Sequence, residues 1–284
     1  IQDGFVLSEV VVVDNGSIDN SLAGINQLGV PVRMIRNEQN RGFAAACNQG
    51  AAGTGDYLLF LNPDTVLFAN SLAVPLIFMQ APGNEDVGVV GIQLRDDKNR
   101  IARSCARFPT PRIFAAQALG ANRLPGLRHL NTHMSDWAHD ETRTVDHVIG
   151  AFYLIRRSLF ESLGGFDERF FVYLEDLDLS LRARQAGWRS VYLSGVQAFH
   201  AGGGTSEQAK SARLFYALRS RLLYGFKHFS PAVAWGLLII MVAAEPWIRL
   251  GFASFRGVWC DVGYTLRAYL LLIKSLPEVV AHPR

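Results

Sequence analysis

The chain has 284 residues, 49% of them hydrophobic, with 28 Lys and Arg against 25 Asp and Glu for a net charge of +3. That length suits one large α/β domain with an appendage, and the apolar fraction leaves ample material for a core. The charge balance is modest and no nucleic-acid partner is expected, while the three cysteines, Cys47, Cys105 and Cys260, form no close pair, which argues against a disulfide framework or a zinc site and fits a reducing cytosol.

Val10 to Val13 is an unbroken β-branched run that ends in Asp14-Asn15-Gly16-Ser17, followed by Asp19 and Ser21. It reads as a buried parallel strand that delivers polar groups to its C-terminal tip before a helix starts. Val32 to Arg36 reads as a second strand, and Asn40-Arg41-Gly42-Phe43 as a glycine-containing turn into an Ala-rich helix that runs past Cys47 and Asn48. A third strand, Tyr57 to Leu61, runs into Asn62-Pro63-Asp64. Ligands of open α/β sheets bind at such strand tips, and three polar tips in succession are far less expected by chance than one.

Between Arg95 and Arg143 the strand-helix rhythm fades, and Arg100, Arg103, Arg107, Arg112, Arg123 and Arg128 accumulate with Pro109, Pro111 and Pro125. Gly150-Ala151 then opens a strand that ends at Arg156-Arg157, a pair read as structural or generally anion-attracting. From Gly164 to Trp188, Glu175, Asp176 and Asp178 gather beside Phe170, Phe171 and Tyr173. Leu174, Leu177 and Leu181 have the spacing of one helical face, with Gly187 as a left-handed stop, so the acids fall in or just before the first turn. The helix N-terminus favours their ionised form and desolvation by the aromatics opposes it, so the segment is either a tuned general base or an acidic N-cap on an ordinary helix. A short apolar run, Val196 to Phe199, ends at His200 and is followed by Ala201-Gly202-Gly203-Gly204-Thr205-Ser206, whose glycines let backbone approach a phosphate closely.

After Ser206 the composition changes. Glu207 to Phe229 reads as a helix with Lys210, Arg213, Arg219, Arg221, Lys227 and His228 beside Leu214, Phe215, Leu218, Leu222, Leu223 and Phe226, a basic amphipathic pattern suited to anionic membranes. Pro231 to Ala244 is almost wholly apolar, with Trp235 inside and Glu245-Pro246-Trp247 at its end. That is shorter than the ~20 residues a spanning helix needs, which favours an interfacial or re-entrant segment, although extension through Phe252 past Glu245 and Arg249 could just cross. Leu266 to Leu276 supplies another apolar helix, and a core helix packed on its own domain is the alternative for both.

Five segments in order, VVVDNGSIDNS, NRGFAAACNQGA, YLLFLNPDTVL, GAFYLIRRSLFESLGGFDERFFVYLEDLDLSLRARQAGW and HAGGGTS, resemble the inverting family 2 glycosyltransferases of the GT-A fold, in the bacterial rhamnosyltransferase-like branch. The resemblance covers most of Glu9 to Ser206. It implies a Rossmann-like, mostly parallel sheet flanked by helices over 1–206, lacking the family's first strand and helix, and a helical membrane-associated region over 207–284. It implies a nucleotide-diphosphate sugar donor, thymidine-diphospho-rhamnose or a uridine-diphospho sugar, held by Asp14 at the base, with Asn15, Ser17, Arg41, Gly42, Asn62, Gly150 and Ala151 also on the donor side. Asp64 and His200 stand where the family reaches its divalent cation, Mg²⁺ or Mn²⁺. Asn62 replaces the first acid of the family's Asp-any-Asp motif, so Asp64 alone carries the charge.

Asp176 matches the catalytic base, with Glu175 and Asp178 orienting, accepting hydrogen bonds or capping the helix. The Arg-rich segment falls on the acceptor side, where a glycan or an anionic lipid-linked acceptor would be drawn to arginines, at the cytoplasmic face of the bacterial inner membrane. The chain lacks a Gln-any-any-Arg-Trp motif of processive synthases and a glycine-rich loop with the Arg and Lys of sugar nucleotidyltransferases. The remaining alternative is a noncatalytic nucleotide-sugar or glycan-binding module.

Overall fold

A computed structural model describes residues 5–25, 29–202 and 210–281, and it divides into two compact units. The first comprises Ile1–Ala106, His139–Phe171 and Glu175–Ala201; the second comprises Arg107–Ala138, Val172–Leu174 and Gly202–Arg284. This division differs from a contiguous boundary at residue 206, because Arg107–Ala138 belongs with the helices of the second unit. The glycines and hydroxyls at 203–206 and the helix start expected at Glu207 lie outside the described residues.

In the first unit, β1 (Val10–Asp14) and β2 (Val32–Arg36) form a parallel pair in which Val10 faces Val32 and Asp14 faces Arg36. Val10 to Val13 are half-buried rather than buried; the β-branched run fixes extended backbone, while depth depends on what covers each face. Helix α1 (Phe43–Gly50) packs on β1 through small residues, Ala44 and Ala45 being buried, and a Cβ on Gly50 would lie 3.2 Å from Val13.

The central sheet takes β3 (Tyr57–Leu61), β4 (Thr65–Leu67), β5 (Val87–Arg95), β7 (Arg143–Val145), β9 (Phe152–Arg156) and β10 (Arg189–His200). Its order is β3-β9-β5-β10-β4, with β7 also on β10. The expectation of a mostly parallel sheet is corrected to a mixed one: β5 and β10 are parallel, whereas β9 is antiparallel to both β3 and β5, and β4 and β7 are antiparallel to β10. A continuous apolar run such as that of β9 reports burial on both faces but carries no direction. Val90, Ile92, Leu94, Phe152, Leu154, Val191 and Leu193 form the core with Met79 of α2 (Ala73–Gln80). Short β6 (Cys105–Ala106) and β8 (His147–Val148) pair separately.

After α4 (Arg157–Ser162), α5 spans Glu175–Gln185 and ends as its sequence predicts: Gly187 has φ 90°, its N–H reaches Arg184 O, and the Trp188 N–H reaches Ala183 O. Leu174 is not part of the helix, because Tyr173 and Leu174 both adopt left-handed backbone, φ 71° and 67°, just before it.

The second unit is helical: α3 (Pro111–Ala118), α6 (Lys210–His228), α7 (Pro231–Ile239), a π turn at Ile240–Ala244, α8 (Glu245–Phe255) and α9 (Trp259–Ala281). The apolar stripe of α6 is buried within this unit: Leu218, Leu222, Leu223 and Phe226 are covered, and Phe114 of α3 meets Tyr224 edge-on at 5.7 Å. Pro231–Phe255 is one helix long and apolar enough to cross a membrane, and it exposes Trp235, Ile239, Trp247 and Phe255. Inside it Glu245 is buried and accepts hydrogen bonds from Arg249 at 2.6 and 2.8 Å, with Arg221 at 3.4 Å.

Candidate active site

The C-terminal ends of β3, β5 and β10 and the N-terminal ends of β4 and β9 share one edge of the sheet, since Leu61 pairs with Phe152, Phe199 with Arg95 and His200 with Thr65. Most of the candidates gather along this edge. The Asn62 N–H donates to Ala151 O at 3.2 Å, and the Thr65 hydroxyl donates to the same carbonyl at 3.2 Å, fastening the Asn-Pro-Asp turn to the start of β9. Asp64 Oδ1 lies 3.2 Å from His200 Nε2, and the Ala201 N–H donates to Asp64 O.

The neighbouring Gly150 N–H donates to Asp176 Oδ2 at 2.8 Å, which brings the first turn of α5 to the same edge. A Cβ on Gly150 would stand 3.2 Å from that oxygen and 3.7 Å from the Phe43 ring, so a side chain there would crowd the carboxylate. Asp176 Oδ1 accepts the Leu177 N–H at 2.8 Å, and His147 Nε2 lies 3.4 Å from Oδ2. Burial pushes the Asp176 carboxyl up, but His147 and the two backbone donors outweigh it and hold the group below the usual carboxylate range. Glu175 goes the other way: burial, then the charges of Asp176 and Asp178, push it well above the ordinary value, and its Oε2 has no hydrogen-bond partner. Two adjacent acids are thereby driven apart in proton affinity, Asp176 down and Glu175 up. Asp178, fully buried, is held by Arg182 at 2.8 Å, whose other nitrogens donate to Leu163 O and Gly165 O, so this acid locks α5 in place. Burial and the same two acids, Glu175 and Asp176, raise the Cys47 thiol, which keeps it protonated.

At the tip of β1, Asp14 Oδ1 accepts the Ser17 N–H at 3.0 Å, and its hydrogen bonds from the Ser17 hydroxyl and N–H hold it below the usual range. Asn15 is a hub: its Nδ2 donates to Asn40 Oδ1 and Gly42 O, and its Oδ1 accepts from Asn37 and from the Arg41 N–H. The Arg41 guanidinium is exposed, and this residue is tied in through its backbone. Gly42 has φ 88°, and a Cβ there would come 2.5 Å from Phe171 O, the carbonyl that accepts the Phe43 N–H at 2.6 Å. Asn15, Gly42, Phe43 and Gly150 thus form a continuous path of contacts from the β1 tip to Asp176.

Several charged residues serve structure. Arg156 donates to Val87 O and Met79 O, and Arg157 to Ala51 O and Gly55 O. In the Arg-rich segment Arg100 pairs with Asp96, Arg107 with Asp136, and Arg123 lies 4.6 Å over the Phe252 ring. Sequence reasoning missed His147, Ser180 and Tyr153, a buried set behind Asp176. His147 and Ser180 meet at 2.9 Å although 33 positions apart, and no spacing rule signals such a contact.

For a divalent cation, the described residues contain no cluster of three or more His, Cys, Asp and Glu. Asp64, one third exposed, lies 3.2 Å from the His200 imidazole, and these two are the groups that would supply ligands. This set fits a hard cation that completes its shell with diphosphate oxygens, since such ions typically take one or two carboxylates.

The model of Glycosyl transferase family 2 matches residues 5–164, and that of Glycosyl transferase family group 2 matches 128–278. An N-acetylglucosaminyl-diphospho-decaprenol L-rhamnosyltransferase of Mycobacterium tuberculosis is 28% identical over 203 residues, 67% of this chain and 66% of the relative. Rhamnosyltransferase WbbL of Escherichia coli strain K12 is 28% identical over 180 residues, 63% of this chain and 64% of its own, so the chain spans a little under two thirds of the length of these relatives. The solved structure of the mannosyltransferase PcManGT from Pyrobaculum calidifontis, in complex with GDP-Man and Mn²⁺, matches with a TM-score of 0.51 at 17% identity, over 93% of this chain and 77% of that one. At that identity the likeness is one of fold, and the fold is GT-A with a mixed sheet.

Proposed function

The chain belongs to glycosyl transferase family 2, and from that premise we propose that it transfers a sugar, with inversion and one residue at a time, from a nucleotide-diphosphate donor to a hydroxyl of a glycan or lipid-linked acceptor in surface polysaccharide synthesis. The observation that carries this reading is the Asp176 carboxylate, held by the Gly150 N–H at 2.8 Å, on the sheet edge that also holds Asp64 and His200. Asp176 Oδ1 takes the proton of the acceptor hydroxyl, and that oxygen attacks the anomeric carbon. The bond from the anomeric carbon to the diphosphate oxygen breaks, its electron pair leaves with the diphosphate, and attack from the opposite face inverts the centre.

Asp64 and His200 would hold the divalent cation, which when bound supplies charge stabilisation for the leaving diphosphate. Asp14 receives the nucleotide base, and Asn15, Ser17, Gly42 and Asn62 shape the donor side, with Arg41 near the phosphates. Gly150 and Ala151 lie under the donor sugar, and their backbone groups hold Asp176 and the Asn62 turn in register. The names of the two rhamnosyltransferases support rhamnose as the sugar, and that of the mycobacterial one supports a diphospho-polyprenol acceptor. The exposed aromatic stripe of Pro231–Phe255 supports a peripheral or shallowly inserted attachment, at the cytoplasmic face where nucleotide sugars are made.

The test is a transfer assay on the full-length protein with thymidine-diphospho-rhamnose and uridine-diphospho sugars, a lipid-linked diphosphate saccharide as acceptor, and the product anomer read by NMR. Turnover with inversion, lost in D176N while donor binding persists, supports the reading. Donor binding without transfer by the wild type would leave the noncatalytic module in its place.

A further inference from the structure

Behind the Asp176 carboxylate lies a buried polar chain of three side chains. His147 of β8 is 2% exposed, and its Nδ1 is 2.9 Å from the Ser180 hydroxyl on α5. Ser180 Oγ is in turn 2.9 Å from the Tyr153 hydroxyl on β9, and both residues are fully buried. The other imidazole nitrogen, Nε2, faces Asp176 Oδ2 at 3.4 Å, long for a hydrogen bond, as catalytic contacts commonly are before substrate binds.

Counting donors and acceptors fixes the direction of this chain. A serine hydroxyl gives one proton and accepts on two lone pairs. Were Nδ1 protonated, Ser180 would accept from His147, and either its own proton or that of Tyr153 would be left without an acceptor within the set. With the opposite order every group is satisfied: Tyr153 donates to Ser180, Ser180 donates to Nδ1, and the remaining imidazole proton sits on Nε2, aimed at Asp176.

Resting on the reading of Asp176 as the base, we propose that His147 is its positioning residue, held by Tyr153 and Ser180 in the one tautomer that donates from Nε2 to Oδ2 and leaves Oδ1 turned to the acceptor hydroxyl. Oδ2 then has two donors, Gly150 N–H and His147, while Oδ1 has the Leu177 N–H alone and a lone pair to spare. The other ionisable groups around the carboxylate do not perform this task. Asp178 and Arg182 are spent on each other, the Asp176 charge pushes the Glu175 carboxyl up, Cys47 stays protonated, and Tyr153 acts through Ser180. The charge-stabilising contact also supplies a pH signature: losing it raises the proton affinity of Asp176, so the acidic limb of kcat/KM moves to higher pH.

The experiment compares H147F, H147Q, S180A and D176N in the full-length protein, by the transfer assay from pH 4 to 9, with thermal melts and donor titrations alongside. H147F is expected to lose about 10- to 100-fold in kcat, with donor KM unchanged and the acidic limb shifted up by about one pH unit. H147Q, which keeps an N–H donor, recovers most of that loss, and S180A shifts the limb in the same direction by less. Should H147F fail to fold, H147Q and S180A carry the same readout. Wild-type rates and an unmoved limb in folded H147F or S180A, with D176N inactive, overturn the positioning role and leave the base standing. An active D176N overturns the base itself, and the two failures are thereby told apart.

Discussion

Two carboxylates, half-buried Asp176 in the first unit and buried Glu245 in the second, reach opposite ends by different partners. Glu245 meets two arginines, Arg249 at 2.6 Å and Arg221 at 3.4 Å, and its oxygens are saturated by full positive charges. Asp176 is held by two backbone N–H groups and an imidazole, which favour ionisation without consuming both oxygens. A carboxylate clamped between guanidinium groups is a strut, whereas one held by fewer, weaker donors keeps a lone pair for chemistry. The neighbour Glu175 sharpens the contrast, for it sits one position away on the same helix yet burial and Asp176 push its proton affinity up.

The largest effect is expected at Asp176. D176N should lower kcat by about 10²- to 10⁴-fold with little change in melting temperature, as measured by transfer assay and calorimetry. E245A should do the reverse, destabilising the helical unit by about 3–5 kcal/mol in denaturant titrations because it strands two arginines. E175Q should stabilise the protein at neutral pH. A group whose folded proton affinity is raised gives stability that is present below its unfolded pKa and lost as pH rises through the folded value, so the advantage of E175Q should vanish toward about pH 4 in melts taken across pH. Smallest of all, replacing the whole set with apolar residues, R221M with E245L and R249M, should change stability by about zero, or raise it slightly, since a buried ion cluster contributes little beyond an apolar equivalent. A large loss in that triple variant would mean that Glu245 does more than fill and pin.

Where chemistry is local, the sequence is readable. The strand tips at Asp14, Asn62 and His200, the acids opening α5 and its Gly187 stop all follow from runs and caps within a few residues. What depends on partners distant in the chain is not. The direction of β9, the packing of the α6 apolar stripe inside its own unit, and the hub formed by Asn15 are set by contacts that leave no periodic trace. His147 is the clearest case: a single histidine beside Asp146 says nothing until the fold brings Ser180 and Asp176 to its two nitrogens. Asn62 is legible as a departure from the family's motif, and its backbone shows why the turn survives the change, since the N–H that anchors it to Ala151 O belongs to any residue but proline.

Tyr173 and Leu174 enter α5 with left-handed backbone, each at a cost of about 1–2 kcal/mol that glycine would not incur. Glycine would also leave that approach free to wander between conformations. Two bulky L-residues turn it instead into a stiff approach that admits few alternatives, so the path of the backbone at these two positions is fixed when the chain folds.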